Sequence, residues 1–350
     1  MVSPSLFQES RLLSTPIRDL GLTITGTPLE PVLTQFQEEL EQAGILRLKP
    51  DFHLSTEWGV PFDTISIGIP FYLARADLTA IHAQRVGHLE GVSDSDLRRY
   101  LRHEMGHVVN YAYKLYERED WVEHFGSMTQ PYLEEYRPEP FSRRFVWHLP
   151  GWYAQKHPDE DWAETFAIWL TPRFDWRAAY AEWPGALGKL EYCDRTMADL
   201  GQRDPQVITR ERDEDVSELT ASLDEYYQVG AVPGDAAARA GTAGLPPGIE
   251  GALRTIFGEY RELAELSADV ELRPAVELIA RLEQDLVADV YRWTGHFPEL
   301  TRHLVQQIAE RVRHLDHVYP ANREASVIVA LTVLVTSLAM NHVYRGSYVP

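Results

Sequence analysis

The sequence predicts an α+β domain over residues 1–205, an acidic region and linker over 206–248, and an all-helical domain over 249–350. Three observations carry this reading. Period-two strand patterning is confined to the residues before 70, and helical patterning dominates the chain from Ile249 onward. Between them the composition shifts to Asp, Glu, Arg and Ser and closes on Gly241-Thr242-Ala243-Gly244-Leu245-Pro246-Pro247-Gly248, the make-up of a linker. A chain of 350 residues has room for two such domains.

Residues 1–26 read as irregular. Thr27-Pro28-Leu29-Glu30 then has the form of a capping box: the hydroxyl accepts from an early N–H, proline fits the first turn, and the glutamate reaches back. The helix that follows should bury Leu33, Phe36 and Leu40, with Ile45 near its end and Gly44 as its stop. Ile45–Leu48 and Thr64–Ile69 are expected as strands, the second half-buried by its alternation and limited by Pro70. The next helix can be capped by Ser93 or Ser95, with Asp94 and Asp96 suiting its positive end. Leu97, Leu101, Met105, Val108, Ala112 and Leu115 form its apolar stripe, and His103 and His107 lie on another face. Further helices are expected from Pro158 through Leu170 and around Ala186–Leu200. Ala325–Met340 is rich in Val, Ile, Leu and Ala. It falls short of the ~20 residues a bilayer span needs, so a helix buried in a bundle is expected there, with no membrane role.

The hydrophobic fraction of 44% permits a sizeable core. The formal net charge of -20 opposes binding to phosphate backbones, so nucleic acid is not an expected partner. A basic peptide would be attracted weakly at cellular salt. The single cysteine, Cys193, excludes an intramolecular disulfide and a multi-cysteine metal site. The N-terminus lacks a basic segment followed by an apolar stretch, so a cytoplasmic location is expected.

The residues that carry chemistry begin with His103-Glu104-Met105-Gly106-His107. Histidines four apart on a helix share a face and can meet one ion, Zn²⁺ accepting neutral imidazole nitrogen at ~2.0–2.1 Å. The intervening Glu104 can reach a metal-bound water as general base. A catalytic zinc keeps three protein ligands and one open position. The third ligand is sought in His157-Pro158-Asp159-Glu160-Asp161-Trp162-Ala163-Glu164, where Pro158 suits a first helical turn and the acids suit its positive end. Glu160 and Glu164 share a face. The assignment adopted is Glu160 as ligand and Glu164 as the carboxylate that orients a histidine, with the reverse still open, and Asp161 pointing elsewhere.

These motifs, with Gly68-Ile69-Pro70-Phe71-Tyr72-Leu73-Ala74 and Phe125-Gly126, resemble a bacterial family of zinc-binding metallopeptidases over roughly residues 15–200. That family is similar to the gluzincins, in which a glutamate completes the histidine pair. The resemblance implies a zincin-like catalytic domain that hydrolyses a peptide bond in a peptide or protein substrate. It also implies that Tyr153, seven residues before Glu160, stabilises the developing oxyanion. The chain departs from many members in lacking an N-terminal Cys-rich zinc ribbon and in carrying Val108-Val109-Asn110 after the second histidine. The metal-binding helix is expected beneath a small sheet, with Thr64–Ile69 as an edge strand open to an extended peptide. A non-peptidase amide hydrolase and a zinc-binding scaffold are the competing readings. A deformylase-type site would need a cysteine upstream of the motif, and Cys193 lies downstream.

Other candidates are weaker. His314 and His317, three apart, have no accompanying carboxylate motif and read as a solvated face. Cys193 has no nucleophile signature. Trp152, Trp162, Trp169, Trp176 and Trp183 read as core and pocket wall, and Glu211–Asp215 as solvated surface.

Overall fold

The computed structural model describes residues 10–86, 89–133, 136–201, 203–230, 245–246, 248–258 and 271–348. The chain divides into two units, 1–230 and 231–350. The first unit is mixed and mainly helical. It contains α1 (Leu29–Gln42), β1 (Asp51–Ser55), β2 (Ser66–Pro70), α2 (Ala76–Arg85), α3 (Asp94–Ala112), α4 (Glu119–Phe125), α5 (Pro158–Leu170), α6 (Pro184–Leu200) and α7 (Leu223–Gly230).

Local chemistry accounts for the ends of α1. Thr27 Oγ1 accepts from Leu29 N at 3.3 Å, and Glu30 reaches back to Gly26 N at 2.7 Å, one residue earlier than a standard capping box places it. At the far end Gly44 has φ +83°, with Gly44 N donating to Glu41 O at 3.0 Å and Ile45 N to Leu40 O at 2.9 Å, the paired bonds of a Schellman stop. The expected stripe, Leu33, Phe36 and Leu40, is buried.

The strand expected at Ile45–Leu48 does not form. Ile45 and Leu48 are buried while Leu46 and Arg47 between them are exposed, so that segment anchors the chain at its two ends without pairing. The strand begins after Pro50 and pairs in parallel with β2, from Asp51 opposite Ser66 to Ser55 opposite Pro70. Nor is β2 half-buried: all five of its residues are buried. Its far edge is not open along its length, because Gly68 N donates to Gly59 O at 2.8 Å and Ile65, just before the strand, donates to Thr209 O at 2.8 Å. The expectation of an edge free for an extended peptide is therefore corrected at those positions.

α3 opens on Ser93, whose side chain accepts from Asp96 N at 3.2 Å. Its apolar stripe packs into the main core with Phe36, Ile67, Phe71, Trp162 and Phe166. The face bearing His103 and His107 is buried too, against α5. The two helices approach closely where Gly106 meets Ala163, and Trp162 Nε1 donates to Gly106 O at 2.8 Å across that contact.

The first unit runs past the expected boundary at 205, to Gly230. Val216 N donates to Leu54 O at 3.1 Å, Ile17 N to Ala221 O at 3.0 Å and Leu223 N to Thr15 O at 3.1 Å, and Val216, Leu223 and Tyr227 are buried. The acidic segment thus belongs to this fold, and most of the remaining expected linker lies outside the described residues.

The second unit packs α8 (Ala275–Thr294), α9 (Pro298–His314) and α10 (Glu324–Arg345) around Phe257, Leu278, Ile308, Leu331 and Val335. It is helical, as expected, with one addition: Leu272–Pro274 and Val318–Pro320 form a short antiparallel ribbon, Arg273 opposite Tyr319. The expectation of a buried helix over Ala325–Met340 holds for one face of α10 only. Val327, Leu331, Val335 and Leu338 are buried, while Val329 and Val333 are exposed. By length and composition Ala321–Arg345 is apolar enough to cross a membrane, and 28% of its most apolar stretch is buried in the fold.

Candidate metal centre

α3 and α5 bring His103, His107 and Glu160 together. One donor atom from each lies within 4.8 Å of the others, all three residues are buried, and no other such group of three occurs among the described residues. His103 Nε2 is 3.0 Å from Glu160 Oε2, His107 Nε2 is 3.3 Å from the same oxygen, and the two Nε2 atoms are 3.2 Å apart. A tetrahedral ion ~2.0–2.1 Å from three donors spaces them by about 3.3–3.4 Å, so this triangle fits one face of such a site. Glu160 Oε2 is buried with no aligned hydrogen-bond donor among the described residues, as suits an oxygen whose lone pair faces an ion. The group could therefore hold a metal ion.

The far nitrogen of each ring meets a carboxylate of α5. His103 Nδ1 lies 2.9 Å from Glu164 Oε1, and Glu164 Oε2 accepts from the backbone N–H groups of His148 at 3.1 Å and Leu149 at 2.9 Å. His107 Nδ1 lies 3.0 Å from Asp159 Oδ2. Asp159 is held in turn by Asn110 Nδ2 at 2.7 Å and by the Tyr111 hydroxyl. The second oxygen of Glu160 accepts from the Tyr132 hydroxyl at 2.6 Å. Carboxylates that fix the tautomer and aim of ligating rings are the usual surroundings of a metal site.

Burial opposes charge on all these groups, and their mutual contacts decide the outcome. Burial would lower His103, but the Glu160 and Glu164 carboxylates beside it outweigh that and hold it up at about 9. His107 is likewise raised, against burial, by Asp159 and Glu160. Burial would raise Glu160, yet the two imidazoles hold it well below the usual carboxylate range. Glu104 has no hydrogen bond among the described residues, and burial, only partly offset by the two imidazoles, pushes it up to about 7. Four carboxylates around two imidazoles make a buried environment that favours a cation.

Tyr153 comes from a turn, Pro150–Gln155, kinked by two left-handed residues, Gly151 (φ +79°) and Trp152 (φ +60°). A left-handed tryptophan is strained. Stacking of Trp152 on Trp147, with ring centroids 4.8 Å apart, packs it in place. The Tyr153 ring lies 5.6 Å from the His103 ring, and its hydroxyl is 3.4 Å from that of Tyr132 and 3.5 Å from Lys156 Nζ.

Asp161 points away from the cluster, to Lys189 Nζ at 2.5 Å. Cys193 is buried and its thiol is held well above its ordinary value, which leaves it inert. His314 is exposed and His317 lies against Phe257. Sequence reasoning missed Asp159 and Tyr132. For Asp159 a signal existed: Asn110 and Tyr111 lie three and four residues beyond His107, on its face of the helix. Tyr132 lies in an irregular segment and had none. No protein-family model, curated protein or solved structure matches the chain.

Proposed function

We propose that the cluster binds Zn²⁺ through His103, His107 and Glu160, that the first unit is a zincin-like catalytic domain, and that the protein is a zinc-dependent peptidase. The observation that carries this reading is the donor triangle on an H-E-x-x-H helix with Glu104 buried beside it. Bound zinc supplies polarisation of a scissile carbonyl and acidification of a water. Glu104 accepts the proton of the attacking water and returns it to the leaving amine. Tyr153 donates its phenolic hydrogen bond to the carbonyl oxygen as charge develops there. Glu164 and Asp159 keep the two imidazoles aimed, and Tyr132 fixes the free oxygen of Glu160.

The test is elemental analysis of the purified chain beside Glu160→Ala and Glu104→Gln, with a quenched peptide library as the activity readout. About one zinc per chain is expected, sharply reduced in Glu160→Ala. Glu104→Gln is expected to keep its zinc and lose turnover. Absence of zinc after reconstitution would end the metallopeptidase reading. Zinc retained with unchanged turnover in Glu104→Gln would end the role given to Glu104.

A further inference from the structure

Lys156 joins the kinked turn Pro150–Gln155 to α5 and is fixed on both sides. Its backbone N–H donates to Tyr153 O at 3.0 Å. The next residue, His157, caps α5 by accepting from Asp159 N at 3.2 Å through Nδ1. His157 Nε2 lies 3.0 Å from Gln130 O. A carbonyl oxygen only accepts, so Nε2 carries the hydrogen and Nδ1 is left as the acceptor that the cap needs. That bond ties the 130–132 segment to the start of α5, and Tyr132 packs there on the His157 ring with centroids 5.2 Å apart.

Lys156 is thereby placed between two phenols. Its ammonium lies 4.4 Å from the centre of the Tyr132 ring and 5.2 Å from that of Tyr153, and Nζ is 3.5 Å from the Tyr153 hydroxyl. It forms no ion pair among the described residues, so the two rings and that hydroxyl answer its charge.

The hydroxyls then fall into one order. An ammonium can only donate, so it takes a lone pair of the Tyr153 oxygen. Tyr132 gives its hydrogen to Glu160 Oε1 at 2.6 Å, so across the 3.4 Å between the two hydroxyls Tyr153 is the donor. The series runs from Lys156 through Tyr153 and Tyr132 to Glu160, the carboxylate of the donor triangle. Hydrogen bonds in series polarise one another, and a charged first member strengthens those that follow. Both contacts of the Tyr153 hydroxyl are longer than the ~2.5–3.2 Å of settled hydrogen bonds, so they set its direction without locking it. We propose that Lys156 is the positioning residue of Tyr153: its ammonium holds the phenolic oxygen and turns the hydroxyl hydrogen toward the donor triangle, where a scissile carbonyl can replace Tyr132 as its acceptor. The role rests on the peptidase reading. A lysine merely packed on an aromatic surface would make no use of the Tyr153 hydroxyl, and the test separates the two.

The experiment has two readouts on the full chain. The first needs neither metal nor turnover. The chain has four lysines, Lys49, Lys114, Lys156 and Lys189, few enough to assign by single substitutions. In EDTA, with ¹³C-labelled lysine, the Lys156 ε-CH2 resonance should lie upfield of those of Lys49 and Lys114 and should move in Tyr153→Phe. A resonance that ignores Tyr153→Phe would overturn the contact. The second readout is steady-state kinetics of the zinc-loaded chain on the best-cleaved peptide of the quenched library. Lys156 is partly exposed, so Lys156→Met should keep its melt and its zinc content. It should lower kcat about tenfold with KM held within about twofold, the scale of one charge-assisted hydrogen bond. On a Tyr153→Phe background the same substitution should change nothing further. Lys156→Arg, which keeps the charge and a donor, should recover most of the loss. An unchanged kcat in Lys156→Met, or an equal fall with and without the Tyr153 hydroxyl, would overturn the role. So would a rise in KM alone, which would mean that the ammonium binds substrate. Cleavage of no peptide by the unaltered chain would instead sink the peptidase reading, and this role with it, whatever the lysine resonance shows.

Discussion

Asp159, Glu160, Asp161 and Glu164 sit on one helix, all are buried, and each is answered by a different group. Asp159 meets His107, Glu160 completes the triangle, Asp161 pairs with Lys189, and Glu164 holds His103. Buried carboxylates persist only when paired or hydrogen-bonded, so none of the four is replaceable at no cost. The two that touch the outer ring nitrogens would act on a bound ion through the imidazoles. Asp159→Asn and Glu164→Gln should each leave the chain folded and weaken zinc binding by about 10–100-fold, read by competition with a chelator. Zinc affinity unchanged in both would show that the rings are aimed by packing alone. Much of this cluster was legible in the sequence, because i, i+4 spacing places His103 with His107 and Glu160 with Glu164. Spacing within a helix says nothing about which neighbouring helix each side chain will face. That is why Asp159 read as a helix-end charge although it holds His107.

Between elements, the donor triangle depends on how closely α3 approaches α5. Gly106 stands at the contact, and a Cβ there would lie 2.7 Å from Ala163 Cα and 3.1 Å from Ala163 O. Those atoms are backbone and cannot turn aside. Alanine is the better helix former by ~0.8–1.0 kcal/mol, so an isolated helix would gain from Gly106→Ala. Here the added methyl must push the helices apart, an overpacking cost of about 1–3 kcal/mol, and it separates His103 and His107 from Glu160. A lower melting temperature together with weaker zinc binding is expected, the first by thermal unfolding and the second by metal titration. A more stable variant with full zinc affinity would mean that the approach of the helices does not matter. The same dependence on tertiary contact explains which elements the sequence disclosed. The helices carry their own signals in caps and stripes. β2 disclosed itself by alternation over Thr64–Ile69 but not that both its faces are covered, and β1 carried no such signal, because its partner is β2 and a buried parallel pair need not show the alternation of a half-exposed strand. The small ribbon in the second unit is three residues a side, too short for any period to show.

At the scale of the whole molecule, two units with separate cores share a chain of net charge -20, and acid acts on them through different groups. In the second unit His296 is buried between Thr301, whose Oγ1 is 2.7 Å from Nδ1, and Tyr348, whose hydroxyl is 3.3 Å from Nε2. Among the described residues the titratable side chains against it are Tyr348 and His342, the latter with ring centroids 5.1 Å apart, and the His342 ring opposes a second positive charge. Burial, and then His342, lower His296 from 6.5 to about 3. The unfolded chain therefore binds a proton at this position below pH 6.5 that the folded unit refuses until about pH 3. The contribution is fully present above the unfolded value and is lost as pH falls through that window, at up to ~1.4 kcal/mol per pH unit. His296→Gln, which keeps a polar group for Thr301 but cannot be protonated, should flatten the loss of stability between pH 6 and about 4. Urea unfolding followed by α8–α10 hydrogen exchange at several pH values reads this directly. An identical pH slope in the variant and the unaltered chain would mean that His296 already carries its proton when folded, and that acid unfolds this unit through its carboxylates instead.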